Sequence, residues 1–167
     1  MTTNLIGTLK DHTYYVNSVA FNPDGMLASG SWDNTIKLWD ISTMNCVRTL
    51  VGHTNCVISV AFNDVGMLVS GSYDNTIKLW DISTMNCVGT LEGHTNTVYS
   101  VAFNGAGLLA SGSGDNTINL TPIYTKKFIN TALMTMNRCG LIDDIMDNIM
   151  EKLGVIDEKG NITGCTI

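Results

Sequence analysis

Histidine, serine and aspartate recur together three times in this 167-residue chain, at one fixed mutual spacing. The first set is His12, Ser29 and Asp33, and the other two follow at offsets of 41 and 82 residues. These are the residue types of a hydrolytic triad, in which a histidine takes the proton of a serine nucleophile and a carboxylate orients the imidazole ring. A catalytic constellation has no reason to occur once per repeat, so we interpret the sets as structural. The second set is His53, Ser70 and Asp74, and the third is His94, Ser111 and Asp115.

A tryptophan accompanies the first two sets at a constant distance, which also favours a structural role. Trp39 follows the first set and Trp80 the second, whereas Thr121 stands at this position in the third. The sequence contains no paired carboxylates outside the turns, no phosphate-binding loop, no metal-ligand spacing and no isolated activated nucleophile. We therefore expect no enzymatic activity, no metal and no cofactor.

The elements that position these residues belong to a repeated unit. The segment DNTIKLWDISTMNCV occurs identically at 33–47 and 74–88. In the first copy, four short β-type segments, VNSVAF, MLASGS, TIKLW and CVRTL, alternate with turn-forming residues. A four-strand unit that recurs about every 40–45 residues has the spacing of a β-propeller blade. Such blades are apolar on both faces and must stack on neighbours.

The chain resembles the WD-repeat family over about residues 4–120, and weakly over 121–135. The resemblance is carried by Gly52-His53, Gly93-His94, the turn aspartates, Trp39-Asp40 and Trp80-Asp81. The expected fold is all-β, a partial WD-repeat β-propeller of about three four-stranded antiparallel blades with a short α-helical C-terminal tail. The resemblance also implies that the recurring histidine, serine, aspartate and tryptophan form a hydrogen-bonded chain inside each blade.

The repeat pattern predicts five segments. LIGTLKD matches the end of a unit, so residues 4–11 are expected to form a lone outer strand. Repeat 1 spans 12–52, repeat 2 spans 53–93, and a degenerate repeat 3 spans 94–135. In repeat 3, Pro122 predicts that the third strand ends early, and KKFINTALM still matches a fourth strand. Residues 136–167 are expected to form a helix and a short hairpin, with the helix either capping the third blade or binding a partner.

Positions that differ between the copies predict a binding surface. The family resemblance places them on the face around the central channel where partners dock, and several are aromatic side chains suited to protein contacts. The competing interpretation is that they are unconstrained positions that drifted after duplication. The predicted partner-binding residues are Tyr15, Asn17, Trp32, Cys56, Ile58, Tyr73, Thr97 and Tyr99.

The net charge and the cysteine content limit which partners and which cellular compartment are expected. The net charge is −6, without a basic cluster, which argues against nucleic-acid and membrane partners. The five cysteines form no CxxC pair and are odd in number, which indicates reduced thiols in an intracellular protein, cytoplasmic rather than nuclear.

Three blades do not close a propeller ring. The leading hypothesis is a non-enzymatic protein–protein interaction scaffold that presents a propeller-type face to other proteins or peptides. The alternatives are a truncated repeat array without independent activity, and a module that functions only as a homo-oligomer completing the ring.

Overall fold

The computed structural model describes residues 4–104 and 107–123, which form three antiparallel sheets. We call these sheets blades 1, 2 and 3, and in each of them consecutive strands are neighbours. Blade 1 contains β1 (Val16–Phe21), β2 (Leu27–Ser31), β3 (Thr35–Asp40) and β4 (Asn45–Val51). Blade 2 contains β5 (Val57–Phe62), β6 (Leu68–Ser72), β7 (Ile77–Asp81) and β8 (Asn86–Leu91). Blade 3 contains β9 (Val98–Phe103), β10 (Leu108–Ser113) and β11 (Ile118–Pro122). This is the all-β arrangement of antiparallel blades that the repeats predict.

Asparagine and glycine close the turn between the first two strands of each blade. In blade 1, Asn22 Oδ1 accepts the backbone N–H of Met26 at 2.7 Å. Gly25 then adopts a φ of 86°, a left-handed conformation that glycine reaches without a Cβ clash. Asn63 with Gly66 and Asn104 with Gly107 repeat this arrangement.

Each first strand carries a β-bulge at the same position. In β1, Val16 pairs with Ser31 and Ser18 pairs with Gly30, so Asn17 has no opposite residue. Ile58 in β5 and Tyr99 in β9 are the corresponding bulge residues. A bulge bends its strand and redirects a side chain, which sets these three residues apart from the regular ladder.

Neighbouring blades approach closely at a glycine–valine contact, which occurs twice. A Cβ added to Gly30 would lie 2.7 Å from Val57 Cγ1, and one added to Gly71 would lie 2.7 Å from Val98 Cγ1. Because real Cβ atoms do not come this close, glycine is required where β2 faces β5 and where β6 faces β9. Apolar side chains fill both junctions, and each fully buried one contributes roughly 1.5–3 kcal/mol. Blades 1 and 2 bury Ala28, Ile36, Leu38, Leu50, Val57, Val60, Leu68 and Trp80, and blades 2 and 3 bury Val69, Ile77, Val98, Val101 and Leu109.

Two strand predictions are wrong. Residues 4–11 form no strand, and Leu5 and Ile6 are exposed, because an extended segment needs a neighbouring strand edge for its ladder and no described strand pairs with this one. The third strand of repeat 3 does not end early, since β11 runs to Pro122. Pro122 lies opposite Leu108, and the next ladder bond runs from Ile123 N–H to the Gly107 carbonyl at 2.9 Å. The β10–β11 ladder therefore needs no hydrogen bond from the backbone nitrogen of residue 122.

Three predictions lie outside the described residues. They are the fourth strand from KKFINTALM, the C-terminal helix and the hairpin that follows it.

Candidate functional site

The four predicted network residues of blade 1 lie in direct hydrogen-bond contact. His12 precedes β1, Ser29 lies within β2, Asp33 lies in the β2–β3 turn and Trp39 lies near the end of β3. His12 Nδ1 is 2.7 Å from Asp33 Oδ2, and His12 Nε2 is 2.7 Å from Ser29 Oγ. Trp39 Nε1 donates to the same Ser29 oxygen at 2.8 Å. The contacts thus join the loop before β1, the second strand, the following turn and the third strand.

Blade 2 repeats this geometry closely. His53 lies 2.7 Å from both Asp74 Oδ2 and Ser70 Oγ, and Trp80 Nε1 donates to Ser70 Oγ at 2.9 Å. One proton arrangement satisfies every atom: the indole donates to the serine oxygen, the serine hydroxyl to Nε2, and Nδ1–H to the carboxylate. This arrangement requires a neutral imidazole ring.

Blade 3 has the same contacts between histidine, serine and aspartate but lacks the hydrogen bond from an indole. His94 lies 2.8 Å from Asp115 Oδ2 and 2.9 Å from Ser111 Oγ. Thr121 replaces the tryptophan, so no indole donates to Ser111. This difference makes Ser111 a natural reference for the other two serines.

The surroundings favour the neutral form of His53 and the ionised forms of Asp33 and Asp74. Burial lowers the pKa of His53, and this effect outweighs the opposing hydrogen bond and charge of Asp74. Burial acts to raise the pKa of Asp33, but hydrogen bonds from Thr35 and His12 outweigh it and hold the pKa at about 2. Asp74 shows the same balance, and its pKa is also lowered.

The chain of contacts has the connectivity of a catalytic triad but lacks an accessible nucleophile. Ser29, Ser70 and Ser111 are all buried. A nucleophilic oxygen must reach the carbon of its substrate, and two of these oxygens already accept an indole N–H. What this geometry can do is hold loops to strands. Within residues 4–104 and 107–123, no three or more His, Cys, Asp or Glu side chains are grouped so that they could hold a metal ion.

Five aromatic side chains form a continuous row across the three blades, which we call the aromatic strip. Tyr14, Tyr15, Trp32 and Tyr99 are exposed, and Tyr73 is half-buried. Trp32 stacks on Tyr14 at 6.0 Å between ring centroids and meets Tyr15 edge-on at 5.4 Å. Trp32 lies 6.4 Å from Tyr73, which in turn lies 6.1 Å from Tyr99. The row therefore begins on blade 1, crosses blade 2 and ends on blade 3.

The buried network positions this strip. The Trp32 N–H donates to the Tyr15 carbonyl at 2.9 Å, and the Tyr73 N–H donates to the Cys56 carbonyl at 3.0 Å. Tyr14 and Tyr15 come just after His12 in sequence, and Trp32 comes just before Asp33. The His12–Asp33 contact therefore fixes the two loops that carry three of the five rings.

The other predicted binding residues lie beside the strip and present less surface. Asn17 is exposed, and its Nδ2 donates to the Val57 carbonyl at 2.9 Å, which joins blade 1 to blade 2. Cys56 and Ile58 are half-buried, and Cys56 Sγ lies 3.7 Å from the Trp32 carbonyl. Thr97 is buried, so little of its surface is open to a partner.

Tyr14 belongs to the strip but is absent from the predicted binding residues. Asn55 and Asn96 occupy its position in the second and third copies. Comparison of the copies at this column shows the change from asparagine to tyrosine and would have identified it.

Comparison with known proteins identifies a family, and its relatives include two proteins that match over a short stretch. The family model described as WD domain, G-beta repeat matches residues 3–40, 44–81 and 85–120. A stretch of 36 residues, 21% of this chain, is 53% identical to 11% of the Small ribosomal subunit protein RACK1 of Dictyostelium discoideum. A stretch of 41 residues, 24% of this chain, is 51% identical to 5% of the Periodic tryptophan protein 2 homolog of Schizosaccharomyces pombe. Each match thus spans a small part of a much longer relative. No helix in the described part of the chain has the length and apolar character of a membrane span.

Proposed function

Since the chain belongs to the WD domain, G-beta repeat family, we propose that it is a non-enzymatic scaffold that binds other proteins or peptides through the aromatic strip. WD repeats are protein-interaction modules, and the exposure and continuity of the strip support docking of a partner on this part of the chain. The observation that carries the proposal is the continuous row of rings from Tyr14 to Tyr99, of which all but Tyr73 are exposed.

The chemistry of the strip suits a protein partner. Tyrosine and tryptophan offer large contact areas with few rotatable bonds, and both are enriched among residues that dominate interface energies. The rings already touch one another, so binding would order few side chains and would cost little conformational entropy. The net charge of −6 favours a partner segment that carries basic side chains and disfavours nucleic acid.

We also place this function inside the cell, in the cytoplasm ahead of the nucleus. Cys46, Cys56 and Cys87 are free thiols in the structure, which suits a reducing compartment.

Selection from a random-peptide phage library tests the proposal. Phage would be selected on the immobilised parent chain after depletion on the bare support, and the affinity of each enriched peptide would then be measured for the parent chain and for the variants. We expect enriched peptides whose affinity falls at least tenfold in Trp32→Ala and in Tyr73→Ala, as for central aromatic interface residues. Val65→Ala is the matched control, because Val65 is an exposed apolar residue in the β5–β6 turn, away from the strip.

Two results would contradict the proposal. One is the absence of enriched peptides, which favours an array without independent binding or a module that works only as an oligomer. The other is enriched peptides that bind Trp32→Ala as tightly as the parent chain. Far-UV circular dichroism of Trp32→Ala must match the parent chain, since an unfolded variant would show that Trp32 is a core residue.

A further inference from the structure

The two outermost faces of the described stack carry the same residues as its buried junctions. We call the face of blade 1 formed by Val16, Val19 and Phe21 the front face. Val16 and Val19 are 51% and 61% exposed, whereas Val57 and Val60, their counterparts in blade 2, are 0% and 5% exposed against blade 1. The front face is therefore one half of a junction whose other half no described residue supplies.

The opposite face of the stack carries the complementary half. We call the face of blade 3 formed by Gly112, Ile118 and Leu120 the back face. Ile118 is 74% exposed, whereas its counterparts Ile36 and Ile77 are 0% and 4% exposed in the two junctions. Leu120 is 63% exposed. These exposed side chains stand where blades 1 and 2 receive the next blade.

Gly112 marks the contact point most sharply. A Cβ added to Gly30 or Gly71 would meet a valine Cγ1 at 2.7 Å, but a Cβ added to Gly112 would meet nothing within 4 Å. The sequence thus provides a glycine for close approach of a neighbouring strand at a place where the described chain brings none.

The hydrogen bonds across the junctions also recur at 41-residue intervals, and this series of equivalent residues extends to the two outer faces. Ser18 Oγ accepts the N–H of Val60 at 3.1 Å, and Ser59 Oγ accepts the N–H of Val101 at 3.1 Å. The next serine of the series is Ser100, which is exposed on β9. The first N–H of the series is that of Val19, on the front face.

We propose that a second copy of this chain docks head to tail, with the front face of one copy on the back face of the other. Each copy carries both halves of a junction that its own blades already form twice, so the fit requires no new chemistry. A front-to-front contact would instead oppose valine to valine, and a back-to-back contact would oppose glycine to glycine. Two copies can form two such junctions at once, which closes a six-blade dimer.

Single lysine substitutions on each face test the contact. Size-exclusion chromatography with light scattering of the full chain should give twice the chain mass of 18.1 kDa. Val19→Lys and Ile118→Lys should each shift the mass to that of one chain, because a lysine would be buried without a partner at the junction. Val51→Lys is the control and should leave the dimer intact. Its counterpart in blade 2 is Glu92, which stays exposed although blade 1 packs on blade 2. A charged residue at this position is therefore compatible with a junction.

Mixing the two variants distinguishes head-to-tail docking from symmetric docking. A Val19→Lys chain keeps its back face and an Ile118→Lys chain keeps its front face, so a 1:1 mixture retains one unaltered junction and should regain a two-chain mass. Gly112→Val provides a second back-face variant, with room for its side chain in the lone chain and none in the junction. Masses above the dimer that vanish in the same variants would reflect an open string with this same contact and would support the proposal.

The chromatography is repeated over a range of chain concentrations, and the proposal fails if the parent chain has the mass of one chain at all of them. It also fails if only one of the two lysine variants dissociates, or if their mixture stays dissociated. Both lysines replace residues that are exposed in the lone chain, so circular dichroism of each variant should match the parent chain.

Discussion

Ser70→Ala should destabilise the chain more than the corresponding substitution in blade 3, Ser111→Ala. Ser70 is fully buried, and its Oγ bonds His53 Nε2 at 2.7 Å and Trp80 Nε1 at 2.9 Å. Alanine leaves the buried indole N–H without an acceptor, which costs about 1–3 kcal/mol, and removes a second bond worth about 1 kcal/mol net. We therefore expect the free energy of unfolding to fall by about 2–4 kcal/mol.

Ser111→Ala is the matched control, because blade 3 has the same histidine and aspartate but no indole. Ser111 Oγ bonds His94 Nε2 at 2.9 Å, and Thr121 replaces the tryptophan. Its loss should cost about 1–3 kcal/mol less than that of Ser70, which is the cost of one unsatisfied buried donor. Urea unfolding followed by far-UV circular dichroism would measure the free energy of unfolding of both variants. Its dependence on urea concentration should be the same as in the parent chain. Equal losses, or a Ser70→Ala loss below about 0.5 kcal/mol, would show that the Trp80 indole does not depend on Ser70 as its acceptor.

Acidification should lower the free energy of unfolding, and the first loss should begin as the pH falls below 6.5. Burial holds the pKa of His53 below this value. The unfolded chain therefore binds a proton at a pH at which the folded chain still excludes it. A second loss should follow as the pH falls from 3.8 towards 2, the range over which the Asp33 carboxylate is protonated first in the unfolded chain. A urea midpoint that stays constant from pH 7 to pH 5 would contradict the His53 argument. Gly71→Ala should cost about 1–3 kcal/mol, because its Cβ would lie 2.7 Å from Val98 Cγ1, whereas Gly112→Ala should stay within about 0.5 kcal/mol of its parent. Both glycine variants should be compared in the Ile118→Lys chain, which excludes assembly, and equal urea midpoints would contradict the stacking geometry.

The repeat could be predicted from the sequence because the same local pattern of residues determines each blade. The alternation of TIKLW and the asparagine-glycine turns predict the strands, and the 41-residue period predicts their grouping. The exception at Pro122 has a physical reason. A proline excludes a strand only where its N–H is needed, and the pairing phase of β10 with β11 is not visible in one sequence.

The strip was harder to predict because it arises from contacts between blades. Trp32 and Tyr73 are 41 residues apart in sequence, and only the stacking of blades 1 and 2 brings their rings to 6.4 Å. Burial of Thr97 likewise depends on its packing and not on its residue type. Residues 4–11 show the same limit, since their outer-strand pattern forms a strand only beside a free strand edge.

In this description of the molecule the repeated residues are buried supports, whereas the residues that vary between copies form the proposed binding surface. The indole N–H groups of the three tryptophans test this division directly, by hydrogen exchange observed in ¹⁵N–¹H NMR spectra. The indoles of Trp39 and Trp80 should exchange slowly, since both are buried and donate to Ser29 and Ser70, whereas the exposed indole of Trp32 should exchange rapidly. Assignment by single Trp→Phe variants would identify each signal. A protected Trp32, or a Trp39 or Trp80 that exchanges as rapidly as Trp32, would contradict the account.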